Sequence, residues 1–174
     1  AVGNANEMAA VLAHEISHVT QRHISRLMTQ QSRQAPWMIA AMILGALAAS
    51  KHPDAGSAAI VGGQALAAQG QLNFSRDMER EADRIGFGVM SDAGYASQGV
   101  SSMFDKLQQA SRLNDNSSFP YLRSHPLTTE RIAEAQARTQ WASENKPLPL
   151  QPLSESETQA LQLHAMMAAR ARIL

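Results

Sequence analysis

Three observations predict a mainly α-helical fold for this chain of 174 residues. Apolar residues recur at helical spacing through several separate stretches. Asn, Ser or Thr stands where such stretches begin, and Pro or Gly where they stop. The length is enough for one domain with a core and the start of a second.

Asn4 followed by Glu7 resembles a capping box, and Met8, Val11, Leu12, Val19, Leu27 and Met28 continue the pattern, so a first helix is expected from about Ala5 to Gln31. Pro36 is expected to interrupt it. The stretch "PWMIAAMILGALAAS" is nearly uncharged but falls short of the roughly 20 residues a bilayer span needs. A polar turn, "KHPDAGS", leads to a second small-residue stretch from Ala58 to Ala68. Together these read as an apolar helical hairpin, about 36–69, expected to pack on the domain or on a partner, with peripheral membrane contact as the other outlet for its apolar face. Gly45, Gly56, Gly62 and Gly63 give it places to bend, as a lid or a docking surface would require.

A second long helix is expected through "NFSRDMEREADRIGFGVMSDAGY", where Met78, Ala82, Ile85 and Val89 form an apolar stripe and Gly94 a stop. Ser97 caps a third helix carrying Val100, Met103, Phe104 and Leu107, and Thr128 caps a fourth through Ile132 and Trp141. A Pro-rich linker at 145–153 is followed by a capping box at Ser154 and Glu157, which opens a C-terminal helical region at 154–174. The chain starts at Ala1 without methionine and ends inside that helical pattern, as expected of a fragment whose targeting sequence lies upstream.

Fifteen basic and fifteen acidic residues cancel, so nothing favours nucleic acid or an anionic membrane as the main partner. Charged residues make up 17%, against roughly 25% in an average domain, so part of the surface is expected to face something other than water. The absence of cysteine excludes disulfides and thiolate ligands and leaves His, Asp and Glu to bind any metal.

The stretch "VLAHEISHVTQRH" carries that chemistry. Positions four apart on a helix lie about 40 degrees from each other, so His14 and His18 project side by side and can bind one zinc ion. Glu15 lies on the neighbouring part of the face, close enough to serve as a base without being a ligand. His23 is about 140 degrees round an unbroken helix from His18 and is read as structural. The competing reading is a polar helix face that happens to hold two histidines. A third ligand decides between them, and "EREAD" offers Glu79 and Asp83 four apart. One can bind the metal while the other accepts the free N–H of a ligand histidine. Against this, Asp77, Arg80, Glu81 and Arg84 make the same helix a charged surface with ordinary ion pairs.

"HEISH", then "EREAD" some sixty residues on, then "SHP" with an arginine shortly after, together resemble the gluzincin family of the HtpX membrane protease and the CAAX prenyl proteases. The likeness is greatest to its periplasmic branch, in "AHEISHVTQRH", "EREADRIG" and "HPL", and it runs from Ala1 through Arg138. It implies a zincin-type metallopeptidase domain over 1–144, with one zinc held by His14, His18 and Glu79, Glu15 as base and Asp83 supporting a ligand. It places His125 and Arg131 in the segment that approaches the metal. His125 then has two roles open to it. Just outside the metal it would donate to the oxyanion, with Arg131 as a second donor or a brace. Moved inward it would bind the zinc as a fourth ligand and switch the enzyme off, the arrangement expected without substrate.

The resemblance further implies a zinc endopeptidase in the periplasm of a Gram-negative bacterium, acting on misfolded or stalled outer-membrane proteins and their assembly machinery, with a tetratricopeptide-repeat domain after Ser154. The family's strands before the zinc helix, including an edge strand that holds extended substrate, are missing from this chain, so the fragment alone is not expected to hold a full cleft. The rival reading is a chaperone-like assembly factor whose zinc site is structural or self-inhibited, favoured by the apolar hairpin.

Overall fold

The structure, a computed structural model, describes residues 2–113, 120–145, 159–160, 162–163 and 166–167. The described residues form α1 (Ala5–Thr20), α2 (His23–Ala49), α3 (Pro53–Asp92), α4 (Gln98–Leu113), α5 (Pro120–Ser124) and α6 (Thr129–Asn145), and none is in a strand. The linker beyond Asn145 and the capping box at Ser154 lie outside them. The chain divides into two compact units, Ala1–Ser17 with Arg80–Leu174, and His18–Glu79, with α1 and α3 each contributing to both.

The first unit carries an apolar core of Ala13, Met90, Val100, Phe104, Ile132 and Ala135, with Ala9, Ala10, Phe87 and Leu127 packed against it. Two of the expected caps are in place: Asn4 Oδ1 accepts from the Glu7 amide, and Thr128 Oγ1 from the Arg131 amide. α3 stops as expected near Gly94, which has φ of 82°. Glu7, only 1% exposed, accepts hydrogen bonds from the Gly3 amide, from Ser102 and from Lys106 Nζ at 2.6 Å. Burial pushes its carboxyl up, but those bonds and the charge of Lys106 outweigh burial and hold it below the ordinary carboxylate range. The N-terminal turn of α1 is thereby tied to α4.

In the second unit, α2 and the first part of α3 form a helical hairpin, joined at Ser50–His52. Its boundaries differ from expectation in three ways. α2 runs through Pro36 without a break, because it lies against α3 on both sides of it: a Cβ at Gly70 would meet Gln34 at 3.7 Å, and one at Gly63 would meet Ala41 at 4.0 Å. Packing on both sides of the proline holds the helix across the missing N–H. The break falls earlier, at Gln21–Arg22, where Arg22 adopts a left-handed conformation with φ of 53° and ψ of 41°. The small-residue stretch and the "EREAD" helix are one helix of 40 residues, and Gly45, Gly56, Gly62 and Gly63 all sit inside helices, not at bends. Among the described residues no helix is long and apolar enough to cross a membrane.

Candidate metal centre

Helix geometry alone sets His14 one turn before His18 on α1, and Glu79 one turn before Asp83 on α3. The close approach of α1 and α3 near His14 depends on Gly86: a Cβ there would lie 3.0 Å from the Ala13 carbonyl carbon and the His14 nitrogen. "EREAD" divides between two faces. Arg80 points to the surface and pairs with Glu130 at 2.6 Å, while Glu79 is buried and Asp83 largely so. The surface ion-pair reading thus describes Arg80 and not the two carboxylates.

His14 is buried and its Nδ1 lies 2.9 Å from Asp83 Oδ1. Asp83 is in turn gripped by Arg131, whose Nε and Nη2 donate to its two oxygens at 2.6 and 2.8 Å and whose Nη1 donates to the Pro126 carbonyl at 2.7 Å. Burial raises the Asp83 carboxyl, but the hydrogen bonds from Arg131 and His14, with their charges, prevail and keep it below its usual value. Asp83 is therefore an anion that fixes the ring of His14 and leaves its Nε2 directed elsewhere. That Nε2 lies 3.4 Å from Nδ1 of His125, which stacks on Tyr121 with ring centroids 4.5 Å apart.

His18 Nε2 lies 3.4 Å from Glu79 Oε1, and its Nδ1 lies 2.8 Å from Nδ1 of His23. His14, His18, Glu79 and His125 each offer one ligand atom, and these atoms all lie within 4.8 Å of one another. Three imidazoles and one carboxylate, without sulfur, form a donor set that suits zinc. Glu15 stands next to that set: its Oε1 is buried without a hydrogen-bond partner, at 3.5 Å from His125 Nε2.

All seven residues singled out from the sequence, His14, Glu15, His18, Glu79, Asp83, His125 and Arg131, fall in this network. Two members were not foreseen. Tyr121 precedes His125 by four residues, a spacing that could have marked it. His23, read as structural on an unbroken helix, meets His18 because the turn at Arg22 brings its ring back onto it.

Residues 1–139 match the family model described as Peptidase family M48. The chain is 38% identical over 148 residues to the beta-barrel assembly-enhancing protease of Escherichia coli K12, covering 85% of this chain and 30% of that protein. It is 40% identical over 146 residues to the protein of the same name from Yersinia pestis, covering 84% and 29%. Metalloprotease YcaL of Escherichia coli K12 is 31% identical over 137 residues, covering 78% of this chain and 50% of that one. The chain thus spans about 30% of the length of the beta-barrel assembly-enhancing proteases it matches. No solved structure gives a significant match.

Proposed function

The chain belongs to peptidase family M48, and on that footing we propose that it is the metal-binding part of a zinc-dependent endopeptidase that hydrolyses peptide bonds in proteins. The observation that carries this reading is the four ligand atoms within 4.8 Å, backed by the Asp83 contact to His14. His14, His18 and Glu79 are the proposed ligands of one zinc ion per chain. Zinc in such a set acts as a Lewis acid, polarising a carbonyl and lowering the pKa of water from about 15.7 toward 7.

The chain's own residues supply the rest. Glu15 Oε1 takes a proton from the attacking water and returns it to the leaving amine. Asp83 holds the proton of His14 on Nδ1, so that Nε2 keeps its lone pair for the metal. Arg131, buried and committed to Asp83 and Pro126, suits the role of brace better than that of oxyanion donor. His125 is read as the inward fourth ligand of a self-inhibited state, supported by its ring nitrogen lying within the ligand group. The substrates and partners proposed are misfolded or stalled outer-membrane proteins and their assembly machinery, in the periplasm, a reading supported by the names of the relatives and by the motif resemblance.

Elemental analysis tests the ligands: one zinc in the wild-type chain, and full occupancy in Glu79→Ala would remove Glu79 from the set. Glu15→Gln should keep the metal and abolish cleavage of an unfolded protein by the full-length protein, since an amide cannot take the proton. His125→Ala should raise basal proteolysis; a fall at unchanged metal content assigns His125 to the oxyanion instead. The second reading, a chaperone-like assembly factor with a structural or self-inhibited zinc site, draws on the exposed apolar hairpin. No cleavage of an unfolded protein by the wild-type full-length protein would favour it, whereas cleavage that survives Glu15→Gln would remove Glu15 as the base.

A further inference from the structure

We propose that His23 is a positioning residue for His18, selecting the tautomer in which His18 can bind a cation. The inference rests on the reading of His18 as a metal ligand. His23 is 2% exposed, its Nδ1 lies 2.8 Å from His18 Nδ1, and the two rings meet edge to face at 86° with centroids 4.7 Å apart. Two ring nitrogens at hydrogen-bond distance share one proton between them: one donates and the other accepts. The opposite nitrogen of His18, Nε2, faces Glu79 Oε1 and is the one available to a metal. A neutral imidazole that offers a lone pair at Nε2 must carry its proton on Nδ1. His18 is therefore the donor, His23 Nδ1 the acceptor, and the proton of His23 resides on its own Nε2.

The two ligand histidines of α1 thus have different supports for the same task. His14 gives its Nδ1 proton to an anion, Asp83, itself held by Arg131. His18 gives its Nδ1 proton to a neutral imidazole. The left-handed turn at Arg22 makes the second arrangement geometrically available, since it ends α1 at Thr20 and starts α2 at His23, with the new ring facing back onto His18.

A space-filling role and an acceptor role separate in two substitutions. His23→Phe keeps an aromatic ring of similar size but has no acceptor, whereas His23→Asn is smaller but can place an amide oxygen near the position of Nδ1. Zinc affinity is measured by chelator competition on the whole chain, with circular dichroism and urea unfolding of the metal-free proteins alongside. His23→Phe should bind zinc about 10–100-fold more weakly while remaining folded, and His23→Asn should stay within about threefold of wild type. Equal affinity in His23→Phe and wild type, or an equal loss in His23→Asn and His23→Phe, overturns the proposal. Should His23→Phe not fold, the ¹⁵N shifts of the wild-type zinc-loaded chain decide, because a His18 Nδ1 without its proton also overturns it. Wild-type protein that takes up no zinc sinks the metal reading and this inference together; tight zinc binding by all three proteins sinks this inference alone.

Discussion

In the unit formed by Ala1–Ser17 and Arg80–Leu174, charged side chains are buried and answered: Glu7 by Lys106 and Ser102, Asp83 by Arg131 and His14. In the hairpin of His18–Glu79, large apolar side chains stand in solvent, with Trp37 79% exposed, Leu66 76%, and Ile43, Leu44 and Leu47 more than half exposed. The contrast separates two uses of a helix. Buried, paired charges gain little net stability over an apolar core, yet each partner penalises the loss of the other, which makes their geometry hard to deform. Exposed apolar groups contribute little to folding and are free to be selected for contact with something else.

Substitutions should therefore have very different effects in the two units. Arg131→Met should cost most, about 3–5 kcal/mol in urea unfolding, because it leaves the largely buried Asp83 anion without its cationic partner. Glu7→Gln should cost about 2 kcal/mol at neutral pH. The folded-state pKa of Glu7 is depressed, so its contribution is present above the unfolded value, near 4.5, and is lost as pH falls through the folded value. The wild-type advantage over Glu7→Gln should accordingly shrink on acidification; a difference that grows below that value would refute the assignment. Gly86→Ala comes next, at about 1 kcal/mol, the crowding against Ala13 and His14 being partly offset by better helix propensity. Trp37→Ser should fall within about 0.5 kcal/mol, and a larger loss would mean that the hairpin depends on that side chain for its fold.

What could be read from the sequence was local. A spacing of four puts His14 beside His18 and Glu79 beside Asp83 whatever the tertiary structure, so the ligand pairs were legible as soon as the helices were. Asn4 and Thr128 were legible as caps because a cap acts within three residues. The partners of Glu7 at Ser102 and Lys106, and of Asp83 at Arg131, lie dozens of residues away and leave no periodic trace; Arg131 was reached only through a family resemblance. Pro36 misled because the packing of α2 on α3 outweighs a single missing hydrogen bond. Arg22 misled in the other direction, since arginine gives no warning of a left-handed backbone.

That two-residue turn at Gln21–Arg22 also divides the chain into places where its length can and cannot vary. One residue added or removed between His18 and His23 would carry the start of α2 round by about 100 degrees and present a different side chain to His18. Replacement of Arg22 by glycine, by contrast, suits the left-handed backbone and touches no proposed ligand. At the other end of α2, the connection at Ser50–His52 carries no residue of the metal centre, so an insertion there lengthens a tip and leaves the histidine register intact. Insertions and deletions should thus be rejected at one end of α2 and absorbed at the other.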